Sequence, residues 1–174
     1  MKRLLLVGAV GSAKSAVGLS LSTKTGWPYV DSEALLLRSS GCTAIELLAR
    51  DGEAGLLAAE ANVLTLQLAL PGPLVLGIAE DAVRDPATRE RLRQAGQVVW
   101  LRGSPAVLAR RLTGPGQPRG AGQPTGAQRA RELDPLFGEV ATETVDLDLI
   151  TAGVAAKTIL ASLGLDSLGA APRY

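Results

Sequence analysis

The chain has 174 residues, 47% of them hydrophobic and 20% charged, with a formal net charge of +1; that length suits one domain, able to bury roughly 70% of the surface its unfolded form exposes. No histidine and a single cysteine, Cys42, leave out Ser-His-Asp and Cys-His nucleophile systems, a histidine metal site, an internal disulfide and a structural zinc cluster. Near-neutral charge and 3% aromatics argue against a nucleic-acid partner, which needs a basic stripe or stacking platforms.

A first strand is predicted over Arg3 to Val7. With Met1-Lys2 before it and Gly8 after it, the apolar run is too short for a signal peptide or a membrane span. No other apolar run is long enough either, so a cytoplasmic location without a membrane partner is expected. Helical spacing follows from about Lys14 to Thr23, then a strand over Pro28 to Asp31. Thr43 and Glu46 have capping-box spacing ahead of a helix to Arg50, and an Ala-Leu-rich helix runs from about Glu53 to Leu70. A strand over Leu74 to Ile78 comes next. Asp85-Pro86 and Ser104-Pro105 each pair a good N-cap with proline at the first helical position, on either side of a strand over Val98 to Leu101. Residues 113–126 are dominated by glycine, proline and glutamine and read as a mobile lid or as disorder. A strand over Glu143 to Asp146 and a helix over Ala152 to Leu163 complete the order, before a weakly structured tail at about 164–174. Several strands are apolar without alternation, as in parallel strands covered on both faces. The fold class expected is α/β: one domain over residues 1–174, with a central parallel sheet of about five strands flanked by helices.

The sharpest local signal is Gly8-Ala9-Val10-Gly11-Ser12-Ala13-Lys14-Ser15, placed between the first strand and the first helix as a phosphate-binding loop requires. Backbone N–H groups there would wrap a phosphate, helped by the helix N-terminus. Lys14 would reach the β- and γ-phosphates, and Ser15 would be a magnesium ligand. Ala13 departs from the pattern, which asks for glycine; if the backbone there needs positive φ, alanine costs roughly 1 kcal/mol or more. The bland alternative is an ordinary strand-to-helix turn rich in small residues. Asp31-Ser32-Glu33 ends the second strand, where open α/β sheets bind ligands. Its acids either hold magnesium and orient a hydroxyl nucleophile, or cap the following helix.

In order and spacing the segments resemble shikimate kinase, a small P-loop kinase of the nucleoside-monophosphate-kinase type with a three-layer fold. The resemblance runs through Pro28 to Glu33, Arg50 to Gly55, Leu74 to Leu76, Asp85 to Arg89, Val98 to Arg102 and Pro135 to Ala141. It implies ATP or ADP with magnesium as ligands and a monomer. It implies a nucleotide cradle of Gly8, Gly11, Ser12, Ala13, Lys14, Ser15 and Ala16, with Arg111 along the adenine and metal contacts from Ser15 and Asp31. Lys14, Asp31, Glu33 and Arg119 take the catalytic positions. Glu33 stands for the family's second acid, and Arg119 for the lid arginine, displaced by one place in Pro118-Arg119.

On the substrate side the resemblance breaks. Leu57 and Leu133 stand where the family has the two arginines that clamp the shikimate carboxylate, and Ala79-Glu80-Asp81 replaces a glycine triplet. Arg84, Arg129 and Arg131 are the arginines that could substitute. Two charged hydrogen bonds are worth roughly 1.5–3 kcal/mol each, so losing both weakens shikimate binding by about two to four orders of magnitude. The leading expectation is a nucleotide-binding pseudokinase that has lost the clamp. The alternatives are an active shikimate kinase, or a kinase for another small hydroxylated metabolite, to which Glu33, Glu80 and Asp81 would suit an amine or a neutral polyol. Cys42, Trp27 and Trp100 read as packing residues.

Overall fold

The computed structural model of the chain describes residues 2–112 and 126–165. Strands β1 (Arg3–Val7), β2 (Tyr29–Asp31), β3 (Leu74–Gly77), β4 (Gln97–Arg102) and β5 (Glu143–Asp146) form one sheet in the order β2-β3-β1-β4-β5, every neighbouring pair parallel. The α/β class and the five-stranded parallel sheet are as the sequence predicts.

β1 lies at the centre and is buried along its whole length. Its side chains alternate between two cores, as the twofold repeat of a strand dictates. Leu5 and Val7 pack with Leu76, Val98, Leu133 and Phe137 on one face, while Leu4 and Leu6 pack with Val75, Val99, Leu101 and Ile159 on the other. Both faces are therefore apolar, and the strand reads as an unbroken hydrophobic run. Helices α1 (Lys14–Thr25) and α7 (Ala152–Ser162) supply Val17, Leu21, Ala155 and Ala156 to the second core. Helices α4 (Pro86–Ala95), α5 (Pro105–Leu112) and α6 (Gly126–Val140) supply Leu92, Leu108 and Ala130 to the first.

Between β2 and β3, α2 (Ser32–Ser40) and α3 (Ala44–Ala69) close a third, smaller core on Leu36, Leu47, Leu56 and Val63. The two helices expected around 43–50 and 53–70 are two limbs of α3, broken where Gly52 takes φ 71° and ψ −178°. The capping box of Thr43 and Glu46 is present. Helix α2, helix α6 and a 3₁₀ turn over Glu80–Arg84 are additions to the predicted elements. The lid at 113–125 and the tail at 166–174 lie outside the described residues.

Parallel pairing brings the carboxyl ends of β1, β2 and β3 together, so residues 8–15, 31–33 and 79–81 meet at one edge of the sheet. Ala79 N–H donates to Ser32 Oγ at 2.8 Å, tying the segment after β3 to the start of α2.

Tyr29 depends on two glycines. A Cβ at Gly18 would lie 2.1 Å from the Tyr29 ring, and one at Gly77 would lie 2.6 Å from its hydroxyl. Gly18→Ala is therefore expected to destabilise the protein by about 1–3 kcal/mol through overpacking. Denaturant unfolding checks this, with exposed Leu19→Ala as a control that shifts stability by about 0.5 kcal/mol or less.

Candidate active site

The loop from Gly8 to Ser15 folds over a cavity of about 340 Å³ lined by residues 10–16 with Asp31 and Glu33. Ala13, the N-cap of α1, takes φ 58° and ψ 30°, the one non-glycine residue at positive φ among the described residues. The left-handed backbone that the sequence made conditional is present, and alanine bears its steric cost. Ala13 also offers no capping side chain, so the first N–H groups of α1 keep no intrahelical partner and remain available to an anion. Gly8 cannot be replaced, since a Cβ would lie 2.7 Å from the Leu101 carbonyl. Val10 N–H is already engaged by an anion of the protein itself, the Glu80 carboxylate, at 2.7 Å. Lys14 Nζ donates to the Gly8 carbonyl at 2.7 Å. Burial holds this ammonium below its ordinary pKa, against the pull of Glu33, Glu80 and Asp31.

Asp31 accepts hydrogen bonds at both oxygens. Oδ2 receives the hydroxyls of Ser15 at 3.0 Å and Tyr29 at 3.1 Å, while Oδ1 caps α2 through the N–H groups of Glu33 and Ala34. The capping alternative read for Asp31-Ser32-Glu33 holds, and the same aspartate faces Ser15. Tyr29, which drew no attention in the sequence, positions that carboxylate, and burial pushes its own pKa up. Glu33 points into the same cavity. Burial raises its pKa, Lys14 opposes the rise, and Asp31, Glu80 and Asp81 reinforce it.

Beyond Glu33 the cavity continues over about 280 Å³ toward α3 and α6. Arg129 on α6 is anchored there by two acids of the segment after β3. Its Nε lies 3.0 Å from Glu80 Oε1, and its Nη2 bonds Asp81 Oδ2. Arg84 is tied to Asp81 at 2.9 Å and to Glu132 at 3.3 Å, and Arg131 is exposed. Leu57 lines a neighbouring hollow of about 240 Å³ with Glu53 and Arg84. Leu133 does not: it is fully buried in the first core, packed with Phe137 and Ala130. An arginine at that position would enter the core, so it is no simple restoration of a clamp. Arg111 Nη2 donates to the Leu147 carbonyl at 3.3 Å, at the far end of the sheet edge. Arg119 lies outside the described residues.

One residue of the cavity was missed. Glu60, on the second limb of α3, is 5% exposed, and its Oε2 has no hydrogen-bond partner. The signal was available: Glu60 is the only charged residue between Gly55 and Leu70. Burial pushes its pKa up to about 8, with Asp81, Glu33 and Glu80 adding to the rise and Arg129 opposing it.

The family model for shikimate kinase matches residues 10–163. The chain belongs to the shikimate kinase family. A shikimate kinase of Oleidesulfovibrio alaskensis is 33% identical over 91% of this chain and 96% of its own length. One of Paramagnetospirillum magneticum is 38% identical, over 65% of this chain and 57% of that relative. Among solved structures, shikimate kinase from Acinetobacter baumannii in complex with shikimate superposes with a TM-score of 0.82 at 26% identity, covering 94% of each chain.

Two outcomes follow from this geometry. Ala13→Gly removes a left-handed penalty of roughly 1–2 kcal/mol and adds about 0.4–1 kcal/mol of unfolded-state entropy, so a net gain near 1 kcal/mol is expected in thermal unfolding. Glu60 holds its proton more tightly folded, at about 8, than its ordinary 4.5 allows in the unfolded chain. The stability it contributes is complete below 4.5 and is lost as pH rises through about 8. Glu60→Gln should flatten that decline in a series of unfolding curves across the same window.

Proposed function

We propose that this chain is an ATP-dependent phosphotransferase of the shikimate kinase family whose acceptor is a small hydroxylated molecule without a carboxylate. The observation that carries the reading is Arg129. Among the described residues it is the arginine that lines the acceptor cavity, and it is held by Glu80 and Asp81. Turning it toward a substrate carboxylate would strand two partly buried acids, at a cost of about 3 kcal/mol or more. That offsets most of what a new ion pair would gain.

The donor side supports nucleotide binding. The uncapped N-terminus of α1 and Lys14 would provide for phosphates, and the hydrogen bond from Val10 N–H to the Glu80 carboxylate supports a loop suited to anions. Ser15 and Asp31 are the residues to hold magnesium, which when bound neutralises charge on the phosphate oxygens. Tyr29 and the cap on α2 fix the direction of the Asp31 carboxylate. Glu33 would orient the acceptor hydroxyl and take its proton. In the transfer an oxygen–phosphorus bond forms to the acceptor, the bond from the γ-phosphorus to its bridging oxygen breaks, and ADP departs. Lys14 meets the charge that moves onto the phosphates. Arg111 is the candidate to meet the base, and Arg119 the candidate for the lid.

A second reading is an active shikimate kinase. It is favoured by the position of Arg129, one helical turn before Leu133 on the same helix, from which a guanidinium reaches the cavity.

Calorimetry and a coupled assay separate these. Magnesium-ADP should bind, and Lys14→Ala should remove the binding. Shikimate turnover should fall about 100-fold or more below the tens per second of an ordinary small-molecule kinase. Turnover at the ordinary level, abolished by Arg129→Ala, would establish the second reading. Nucleotide binding without phosphoryl transfer to any polyol would return the chain to a pseudokinase.

A further inference from the structure

The acceptor cavity holds more negative charge than its own cations meet. Four acids line it: Glu33, Glu60, Glu80 and Asp81, against the single arginine Arg129. Arg129 is committed to Glu80 and Asp81. Arg84 is committed to Asp81 and Glu132. Lys14 donates to the Gly8 carbonyl at the opposite end. Among the described residues no ion pair reaches Glu60, which is 5% exposed and whose Oε2 has no hydrogen-bond partner.

A buried carboxylate without a partner is costly, and the group escapes part of the cost by staying protonated. A ligand that brings its own positive charge removes the cost altogether. A metal ion is not suited to this role, because among the described residues no three acidic side chains converge as metal ligands. Apart from Thr43, the rest of the wall is apolar and includes Ile45, Leu48 and Leu56. An organic cation with a carbon frame fits both halves of this lining.

We infer that the cavity takes the ammonium group of a small hydroxylated amine, with Glu60 as its counter-ion and Glu33 facing the hydroxyl that lies toward the phosphate loop. This rests on the proposed phosphotransferase reading and names its acceptor class. The charges balance simply. Protonated Glu60 meets the ammonium, one proton leaves to solvent, and the pair that remains is neutral. Glu33 on α2, Glu80 and Asp81 in the turn after β3, and Arg129 on α6 are the other charged groups that face Glu60, and none of them changes partner in the process.

The test is calorimetry on nucleotide-free protein near pH 7, with three carbocyclic probes: the amine streptamine, neutral myo-inositol and anionic shikimate. Streptamine is expected to bind most tightly and shikimate least. The apparent enthalpy should vary with buffer ionisation enthalpy, reporting close to one proton released per streptamine bound. Glu60→Gln should weaken streptamine by about tenfold or more, abolish the proton release and leave myo-inositol unchanged. Streptamine binding no tighter than myo-inositol, or equally tight in Glu60→Gln, would overturn the inference. Should Glu60→Gln not fold, the order of the three probes and the proton release in the unaltered protein decide. Magnesium-ADP titrated into the same protein keeps the two readings apart. Its failure to bind removes the phosphotransferase reading and leaves the amine result standing, whereas ADP binding without streptamine binding removes only the inference.

Discussion

The contact on which the acceptor side depends is the one between Arg129 and the pair Glu80 and Asp81. It joins a helix that begins at residue 126 to a turn that follows β3, some 48 residues earlier in the chain. Glu80 also accepts from Val10 N–H, so the same carboxylate runs from α6 through the turn to the phosphate loop. A single substitution in this chain of contacts would loosen the loop, the turn and the cavity wall together. It also explains why two acids can stand beside a site built for anions. Their charge is spent internally, on Arg129 and on a loop amide, before any ligand arrives.

Asp31 shows the same economy on the donor side. One oxygen ends β2 and begins α2 as a helix cap, and the other collects two hydroxyls. The cap fixes the carboxylate because α2 packs on α3 through Leu36 and Leu47. The orientation of this carboxylate is thus set by a hydrophobic contact more than a helix turn away. Gly18 and Gly77 complete the arrangement by giving Tyr29 the space to reach Asp31.

The central strands were legible because their burial on two faces leaves a local trace, and β1 begins and ends where the apolar run does. The phosphate loop and Asp31 were legible for a related reason: each is a contiguous segment in a fixed place after a strand. Helix α2 was hidden because Asp31-Ser32-Glu33 carries a functional signal that competes with its capping signal. Helix α6 was hidden behind the Gly-Pro-Gln run before it and by Pro135 within it. The acceptor side was legible only as a set of losses. That Leu133 packs in the core, that Arg129 is bound by Glu80 and Asp81, and that Glu60 is unpartnered are facts of pairing between distant segments, and no local pattern encodes them.

Taken together, the two halves of the site place their strain differently. On the donor side it is backbone strain, held at Ala13 by the surrounding loop and worth roughly 1–2 kcal/mol. On the acceptor side it is electrostatic, held at Glu60 by burial without a partner. Backbone strain at Ala13 is present whether or not a ligand is bound, so it lowers stability without selecting among ligands. The unmet charge at Glu60 is different in kind, since a cation relieves it and an anion worsens it. On the proposed reading, discrimination among acceptors therefore arises from the second kind.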